Sequence, residues 1–524
     1  MMLSMDPQAH QKYRLTPAKP SQKWLWLLVL AGATLLYGLT CQRGFSWQDS
    51  GDFQWRILNA RYQDFMGLAR AHPLYIALGR LLTHLPVGPL AFRINALSGL
   101  AMAVALANLA VVVSLLTGRR WIGAAVAAML AVCHTVWWLS TIAEVYTLVI
   151  VGLTAELWLL VRLVRQPTWR GLASLAFVSG LGLCLHNFAL LPLPVYAALA
   201  LVLVRRRRLP AWSLAAAAGA WLVGALPYLA MTAQLAIETG DLAGALRSAL
   251  VGTYAAEVFS AGESWGYFKY NMAFSALNFV NLLLPLAILG WLAFRKLDRA
   301  LAWCLAAITA IHFVFFIRYP VPDQFTFILP TLTMLAVAAG LGLRELVERG
   351  GRRVAVAAVV LSVLLPPLAY ASAPRVARIV GVSGGAHREL PFRDELRYWL
   401  VPWKQDENSA EDFAFAALRG AGPNGVILAD LSAYSPVWLV QDREHLAPKV
   451  WVPRLTLDAD ADIRLDAPLE VFEKAIGRDR PTYVVTPRPG YVPPALLEHC
   501  TFEPVREGLL HRLRWPDAQD GPRP

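Results

Sequence analysis

Long apolar runs recur from Trp24 to about Tyr370, and they constrain this chain more than any other feature. A bilayer core takes about 20 apolar residues to cross. Runs of that order begin at Trp24, Pro89, Trp121, Ile142, Gly171, Phe188, Ala211, Met272, Ala300, Phe327 and Val354. The spacing predicts about eleven membrane-spanning helices. The fifth and sixth are short and are separated only by His186 and Asn187.

Charge supports the same division. Only 16% of the residues are charged, against about 25% in soluble proteins. The net charge of +12 lies in short basic clusters beside apolar segments, the pattern of membrane loops rather than of a nucleic-acid surface. Alternate connections carry Arg119–Arg120, then Arg162, Arg165 and Arg170, then Arg205 to Arg208, then Arg295, Lys296 and Arg299, and finally Arg344 to Arg353. Lys and Arg collect on the cytoplasmic side. The register therefore predicts a cytoplasmic segment 1–23, a transmembrane domain 24–372 and an outside C-terminal region 373–516, with 517–524 a disordered tail. Lys12, Arg14, Lys19 and Lys23 precede the first run. No small-residue cleavage site follows it, so it is read as an uncleaved helix. The Ala-, Leu- and Arg-rich composition fits the cytoplasmic (inner) membrane of a bacterium.

The five cysteines, Cys41, Cys133, Cys184, Cys304 and Cys500, show no CxxC spacing and read as small core hydrophobes. In the C-terminal region, strand signals at 425–430, 450–455 and 482–486 alternate with helix signals that begin at Ser409 and lie near 469–476. A hairpin is expected over 501–515. This is a small α/β domain, long enough for one core. Ser409 followed by Asp412 resembles a capping box.

Polar groups that face chemistry gather in the first outside loop, 42–88. Asp49 and Asp52 stand three residues apart in Asp49-Ser50-Gly51-Asp52, on one helical face or around a turn. Close to a membrane, desolvation and mutual repulsion raise such carboxyls, which suits a general base or a pair holding a divalent metal. The plainer alternative makes Asp49 a helix cap and Asp52 a solvated first-turn acid. Arg61, Arg70 and His72 follow, able to hold a lipid phosphate or merely to snorkel. Glu144, inside an apolar segment, needs a partner and is functional by default. His186 at the short break raises the same question, and so does Asp323, with Arg318 its partner at hand. Polar groups at one face of a helix bundle fit an enzyme with a membrane-dissolved donor. A transporter would carry them at mid-membrane.

At these residues the chain resembles an integral-membrane family long known as a domain of unknown function, whose animal members are protein O-mannosyltransferases of the glycosyltransferase C (GT-C) fold. The matching stretches are Asp49-Ser50-Gly51-Asp52, His72-Pro73-Leu74-Tyr75, Arg93-Ile94-Asn95, Ala143-Glu144-Val145-Tyr146 and His186. Asp323 matches more loosely. Asp52 stands where the family has Glu, and the Pro-Gly-Tyr of its His-Pro motif is missing.

The resemblance implies an all-α polytopic GT-C-like protein with an extracytoplasmic α/β domain. Its activity would be transfer of a mannose-like sugar from a polyprenyl-phosphate donor to an acceptor hydroxyl, on protein Ser/Thr or on a glycan. Asp49 is then the base, with Asp52 and Glu144 assisting. His72, Arg61, Arg70, Tyr75, Asn95, Tyr146, His186, Arg318 and Asp323 would bind substrate. No cofactor or metal is demanded, although a divalent ion remains compatible with the acids. A flippase for lipid-linked sugars and a transferase of a non-sugar group are the competing readings.

Overall fold

The computed structural model describes residues 22–253, 265–382, 389–453, 455–457, 463–465, 476, 480–505 and 509–516. The expected tail 517–524, the helix over 469–475 and all but Gln22 and Lys23 of the N-terminal segment lie outside them.

Every apolar run becomes helical, because lipid leaves backbone groups no partners but one another. In chain order the helices are α1 (Gln22–Thr40), α2 (Gln48–Leu58), α3 (Pro73–Thr83), α4 (Leu90–Thr117), α5 (Arg120–Ala131) and α6 (His134–Leu139). Next come α7 (Tyr146–Arg165), α8 (Trp169–Leu183), α9 (Leu193–Arg205), α10 (Trp212–Thr239) and α11 (Leu242–Leu250). The membrane part closes with α12 (Trp265–Ala276), α13 (Leu283–Ala293), α14 (Arg299–Arg318) and α15 (Leu329–Ile379). Among the described residues, seven helices are long and apolar enough to cross a membrane, or eight if the 82° bend joining 268–279 to 283–296 lies within one span.

The expected eleven thus need correction in detail. The runs from Phe327 and Val354 do give two helices, which meet within α15 at a kink where Gly351 has φ 82°. The third run yields only the 12 residues of α5, since the chain turns at Val132–Cys133 into α6. The fifth, α8, has 15 residues, roughly 22 Å of helix. The sixth is not short: a 3-10 turn extends it to 19 residues, Asn187–Arg205.

Helix α4 is the buried spine, and α1 and α7 pack along it. Trp24, Leu28, Leu35 and Leu39 of α1 point outward and are exposed, as lipid-facing side chains must be. At its start α4 meets the first loop through Asn95 and the Glu144 carbonyl through Ser98. At its far end the Leu115 carbonyl accepts from Arg165 at the end of α7. Polar motifs and basic connections therefore occupy opposite ends of the bundle.

The C-terminal region contains α16 (Glu395–Leu400), α17 (Ser409–Ala421), β1 (Val426–Leu428), α18 (Tyr434–Glu444), β2 (Leu455–Leu457), β3 (Ile463–Leu465), β4 (Thr482–Val484), α19 (Pro494–His499), β5 (Thr501–Val505) and β6 (Leu510–Arg514). The sheet order is β1-β4-β6-β5, with β1 parallel to β4 in the register Val426–Thr482 and the rest antiparallel. Strands β2 and β3 pair separately. The strand signal at 450–455 resolves into a bridge at Trp451 and the start of β2. Ser409 is not a capping residue. It opens α17, and its hydroxyl accepts from the Trp47 indole at 2.8 Å.

One side of this region shares its core with the bundle. Phe413 packs on Trp47 at 5.1 Å and Trp438 on Trp55 at 4.9 Å, while Trp399 stacks on Trp138. Each large apolar side chain buried this way stabilises by roughly 1.5–3 kcal/mol. The other side has a small cluster of its own, including Val426, Leu428, Val484 and Leu513.

Candidate functional site

The first loop owes its shape to α2. Trp47 is extended, and Gln48 takes a left-handed φ of 55°, uncommon for a residue with a side chain. Asp49 follows in the first turn, where the helix dipole favours a negative charge. No side chain caps α2, so Asp49 is not the cap of the plainer alternative. Its carboxylate is 49% exposed and takes an ion pair from Arg70 Nη2 at 2.9 Å.

One turn on, Asp52 is buried rather than solvated. Its Oδ1 accepts from the Tyr434 hydroxyl at 2.9 Å, and its Oδ2 lies 3.7 Å from Arg56. Burial, then the charge of Asp64, raises its pKa to about 6. Arg56 is itself buried. It pairs with Asp64 at 3.2 Å and donates to the carbonyls of Arg61, Tyr62, Arg70 and Ala71. Asp64 also lies 3.5 Å from Arg70 Nε. The chain Arg56–Asp64–Arg70–Asp49 thus ties a rigid loop to one half-exposed carboxylate.

Two further acids approach Asp49 from other elements. Glu144, between α6 and α7, accepts from Ser50 at 3.0 Å, and its backbone N–H and carbonyl both bond Ser98 of α4. Burial and the charges of Asp49 and Asp323 hold its carboxyl well above the usual range. Asp323, at the start of the short turn before α15, is raised to about 6 by burial and by Asp49. The cation whose charge reaches it is Arg70. Three carboxyls and one guanidinium therefore share a field, with Asp49 the most accessible member.

Aromatic rings form the adjoining wall. His72 stacks on His186 at 5.2 Å, Tyr146 lies 5.6 Å from His186, and Phe188 and Phe327 close the group. His72 has φ 50°, held by Pro73 and by its Nδ1–H, which donates to the Leu185 carbonyl. That bond fixes the tautomer with Nε2 as acceptor. Burial, then His186, holds the ring neutral, well below its ordinary pKa.

The motif residues thus divide. Asp49, Glu144, Asp323, Arg70, His72, His186 and Tyr146 come together. Asn95 is fully buried as a brace, donating to the Gln42 and Gly44 carbonyls and accepting from Gln54. Tyr75 is core, edge-on to Phe53 at 4.9 Å. Arg318 is exposed at the end of α14. Arg61 lines a separate cleft of about 930 Å³ together with Asp52, Arg56, Gln63, Leu74 and Met231. Sequence reasoning passed over Arg56 and Tyr434, and it noted Asp64 only as an acid of the first loop. The i,i+4 spacing of Asp52 and Arg56 was the available signal for the first. Nothing local announces Tyr434. Among the described residues, no group of three or more His, Cys, Asp or Glu is arranged to hold a metal ion.

Residues 69–209 match the family model of the protein O-mannosyl-transferase TMEM260 N-terminal domain. No curated protein sequence matches the chain. Among solved structures, the chain is similar to ArnT from Cupriavidus metallidurans bound to undecaprenyl phosphate, with TM-score 0.56 and 13% identity over 96% of this chain and 100% of that one. The apo form of the same protein gives 0.55 and 14% over the same shares. At that identity the likeness is one of fold, and it spans both the bundle and the C-terminal region. The chain is accordingly a polytopic membrane protein with a GT-C-like fold, and its 69–209 stretch is similar to the N-terminal domain of the protein O-mannosyl-transferase TMEM260.

Proposed function

We propose that this protein moves a sugar from a polyprenyl-phosphate donor to an acceptor hydroxyl, with protein Ser/Thr the favoured acceptor. The observation that carries this reading is the half-exposed Asp49–Arg70 pair at the polar end of a GT-C-like bundle, backed by buried Glu144 and half-buried Asp323. The acceptor O–H would give its proton to the Asp49 carboxylate as its oxygen attacks the anomeric carbon. The bond from that carbon to the phosphate oxygen breaks, and the lipid phosphate leaves with the electron pair. Arg70 is placed to neutralise it by charge-assisted hydrogen bonds. Glu144, tied to Ser50, orients the turn that carries Asp49. The ArnT relative holds undecaprenyl phosphate, which supports the donor class. The matched family description supports the acceptor and a mannose-like sugar.

The alternation of basic loops supports the outer face for this end, and the composition favours a bacterial inner membrane. The reaction needs no metal in this reading, since one phosphate can be met by one guanidinium. A divalent ion held by the acids of the first loop is the rival arrangement, and transfer that survives EDTA would dismiss it.

The test is incubation of the purified protein with labelled polyprenyl-phosphate sugars and a Ser/Thr peptide, followed by identification of the labelled product. A flippase would leave the donor uncleaved. Asp49→Asn keeps size but loses the base, so transfer should drop by roughly 10²–10⁴-fold with donor binding intact. Near-normal turnover in that variant would overturn the assignment.

A further inference from the structure

Helix α2 does not hold itself. Its first residue, Gln48, stands at φ 55°, and a strained backbone persists only where its surroundings over-determine it. Those surroundings come from a segment nearly four hundred positions later. The Gln48 N–H donates to the Ser432 carbonyl at 3.1 Å. Gly51 leaves no room for a side chain: a Cβ there would stand 2.3 Å from the Ser46 carbonyl and 3.0 Å from Ser435 Cβ. The Tyr434 hydroxyl donates to buried Asp52. Trp55 packs on Trp438, and its indole N–H reaches Asp442 at 3.0 Å.

From Ser432 to Asp442, then, the C-terminal region grips successive turns of the helix that presents Asp49. We propose that Tyr434 is a positioning residue for the transfer reaction. Through Asp52 it fixes the rotation of α2, and with it the aim of the Asp49 carboxylate. This rests on the function proposed above.

The polar surroundings of Asp52 show why a hydroxyl is needed there. Arg56 approaches Oδ2 only to 3.7 Å and is already committed to Asp64 and four carbonyls. Asp64 repels Asp52, while the charge of Arg70 attracts it. Oδ2 is buried without a hydrogen-bond partner. Tyr434 is thus the one close hydrogen-bond donor to this side chain among the described residues, and it lies on a different element from everything else that meets it. Without it the carboxyl is free to swing toward Arg56, and α2 loses the link that couples its second turn to α18. Asp49 is one turn away on the same face and would move with it.

The experiment compares transfer by the full-length wild type with Tyr434→Phe, Asp52→Ala, Asp52→Asn, the Tyr434→Phe/Asp52→Ala pair and Asp49→Asn. Tyr434→Phe keeps the ring and removes only the hydroxyl. It should lower kcat about tenfold, the scale of one hydrogen bond to a charged group, while donor KM changes less than about twofold. Because the two residues act as one unit, the double variant should be no slower than Asp52→Ala alone. Asp52→Asn, which can still accept from Tyr434, should keep more activity than Asp52→Ala. A general loss of fold would instead show as reduced folded protein at unchanged kcat per folded molecule. Wild-type kcat in Tyr434→Phe, or additive losses in the pair, beside an inactive Asp49→Asn, would overturn this inference and leave the proposed function standing. Full transfer by Asp49→Asn would overturn both.

Discussion

Arg70 Nη2 lies 2.9 Å from Asp49 Oδ1 while its Nε lies 3.5 Å from Asp64, so one guanidinium bridges an exposed carboxylate and a fully buried one. The planar fork of arginine is what permits two partners at once. A lysine keeps the charge but offers one point, and it would stay with one of the two acids. Arg70→Lys is therefore expected to lower kcat by about 10- to 100-fold, on the scale of a lost electrostatic contact in the transition state. Donor KM should rise as well, because the lipid phosphate loses an oriented partner. Steady-state kinetics with a labelled donor decide it; wild-type constants would remove Arg70 from the site.

Asp52 makes stability depend on pH in a particular direction. Its ordinary pKa of 3.8 rises to about 6 in the folded protein, so the folded state binds this proton more tightly than the unfolded chain. The ionised form then weighs against folding. That penalty is complete above about pH 6, is relieved as pH falls from 6 to 3.8, and is of order 3 kcal/mol at most. Asp52→Asn should melt at a higher temperature than wild type at pH 7.5, and the gap should close by pH 4. An Asn variant that melts lower at pH 7.5 would show that the link from Arg56 outweighs the cost of burial.

The membrane architecture was legible because lipid imposes one rule on every span. Apolar runs and alternating basic loops follow from that rule without knowledge of any tertiary contact. What escaped the reading depended on breaks within runs: Val132–Cys133 cuts the third short. The site was half legible. Asp49, Glu144 and His186 announce themselves as polar residues where apolar ones are expected. Asn95 and Tyr75 carry the same local signal yet serve as brace and core, a difference that only packing reveals. Tyr434 is ordinary in its own segment, and its partner Asp52 lies too far away in sequence for periodicity to connect them.

Close helix crossing gives a third prediction. A Cβ on Gly290 of α13 would come within 1.8 Å of the Ala338 carbonyl of α15, and one on Gly342 within 1.9 Å of the Leu286 carbonyl. Facing small residues let membrane helices approach until their backbones touch. Gly290→Val should separate α13 from α15 and destabilise by roughly 1–3 kcal/mol, the usual cost of overpacking. Gly219→Ala, with no atom within 4 Å of its added carbon, should leave the melting temperature unchanged. Equal melting of both variants would show that the crossing is looser than these distances require.

The last prediction concerns the C-terminal region by itself. Its alternation of helix and strand is that of a self-sufficient domain, yet Phe413, Tyr434, Trp438 and Trp399 are covered by Trp47, Asp52, Trp55 and Trp138 of the membrane part. Cutting the chain near Leu390 would expose all four at once. At roughly 1.5–3 kcal/mol per large apolar side chain, that loss matches the whole stability of a small domain, about 5–15 kcal/mol. The remaining cluster around Val426, Val484 and Leu513 is too small to replace it. A fragment of residues 390–516 is thus expected to lack a cooperative thermal transition and to expose apolar surface to a fluorescent dye. Mixed with the complementary fragment 1–389 in detergent, it should regain the transition, and transfer activity should return with it. A sharp melt by the isolated fragment would mean that the shared aromatic contacts position the two parts without stabilising either.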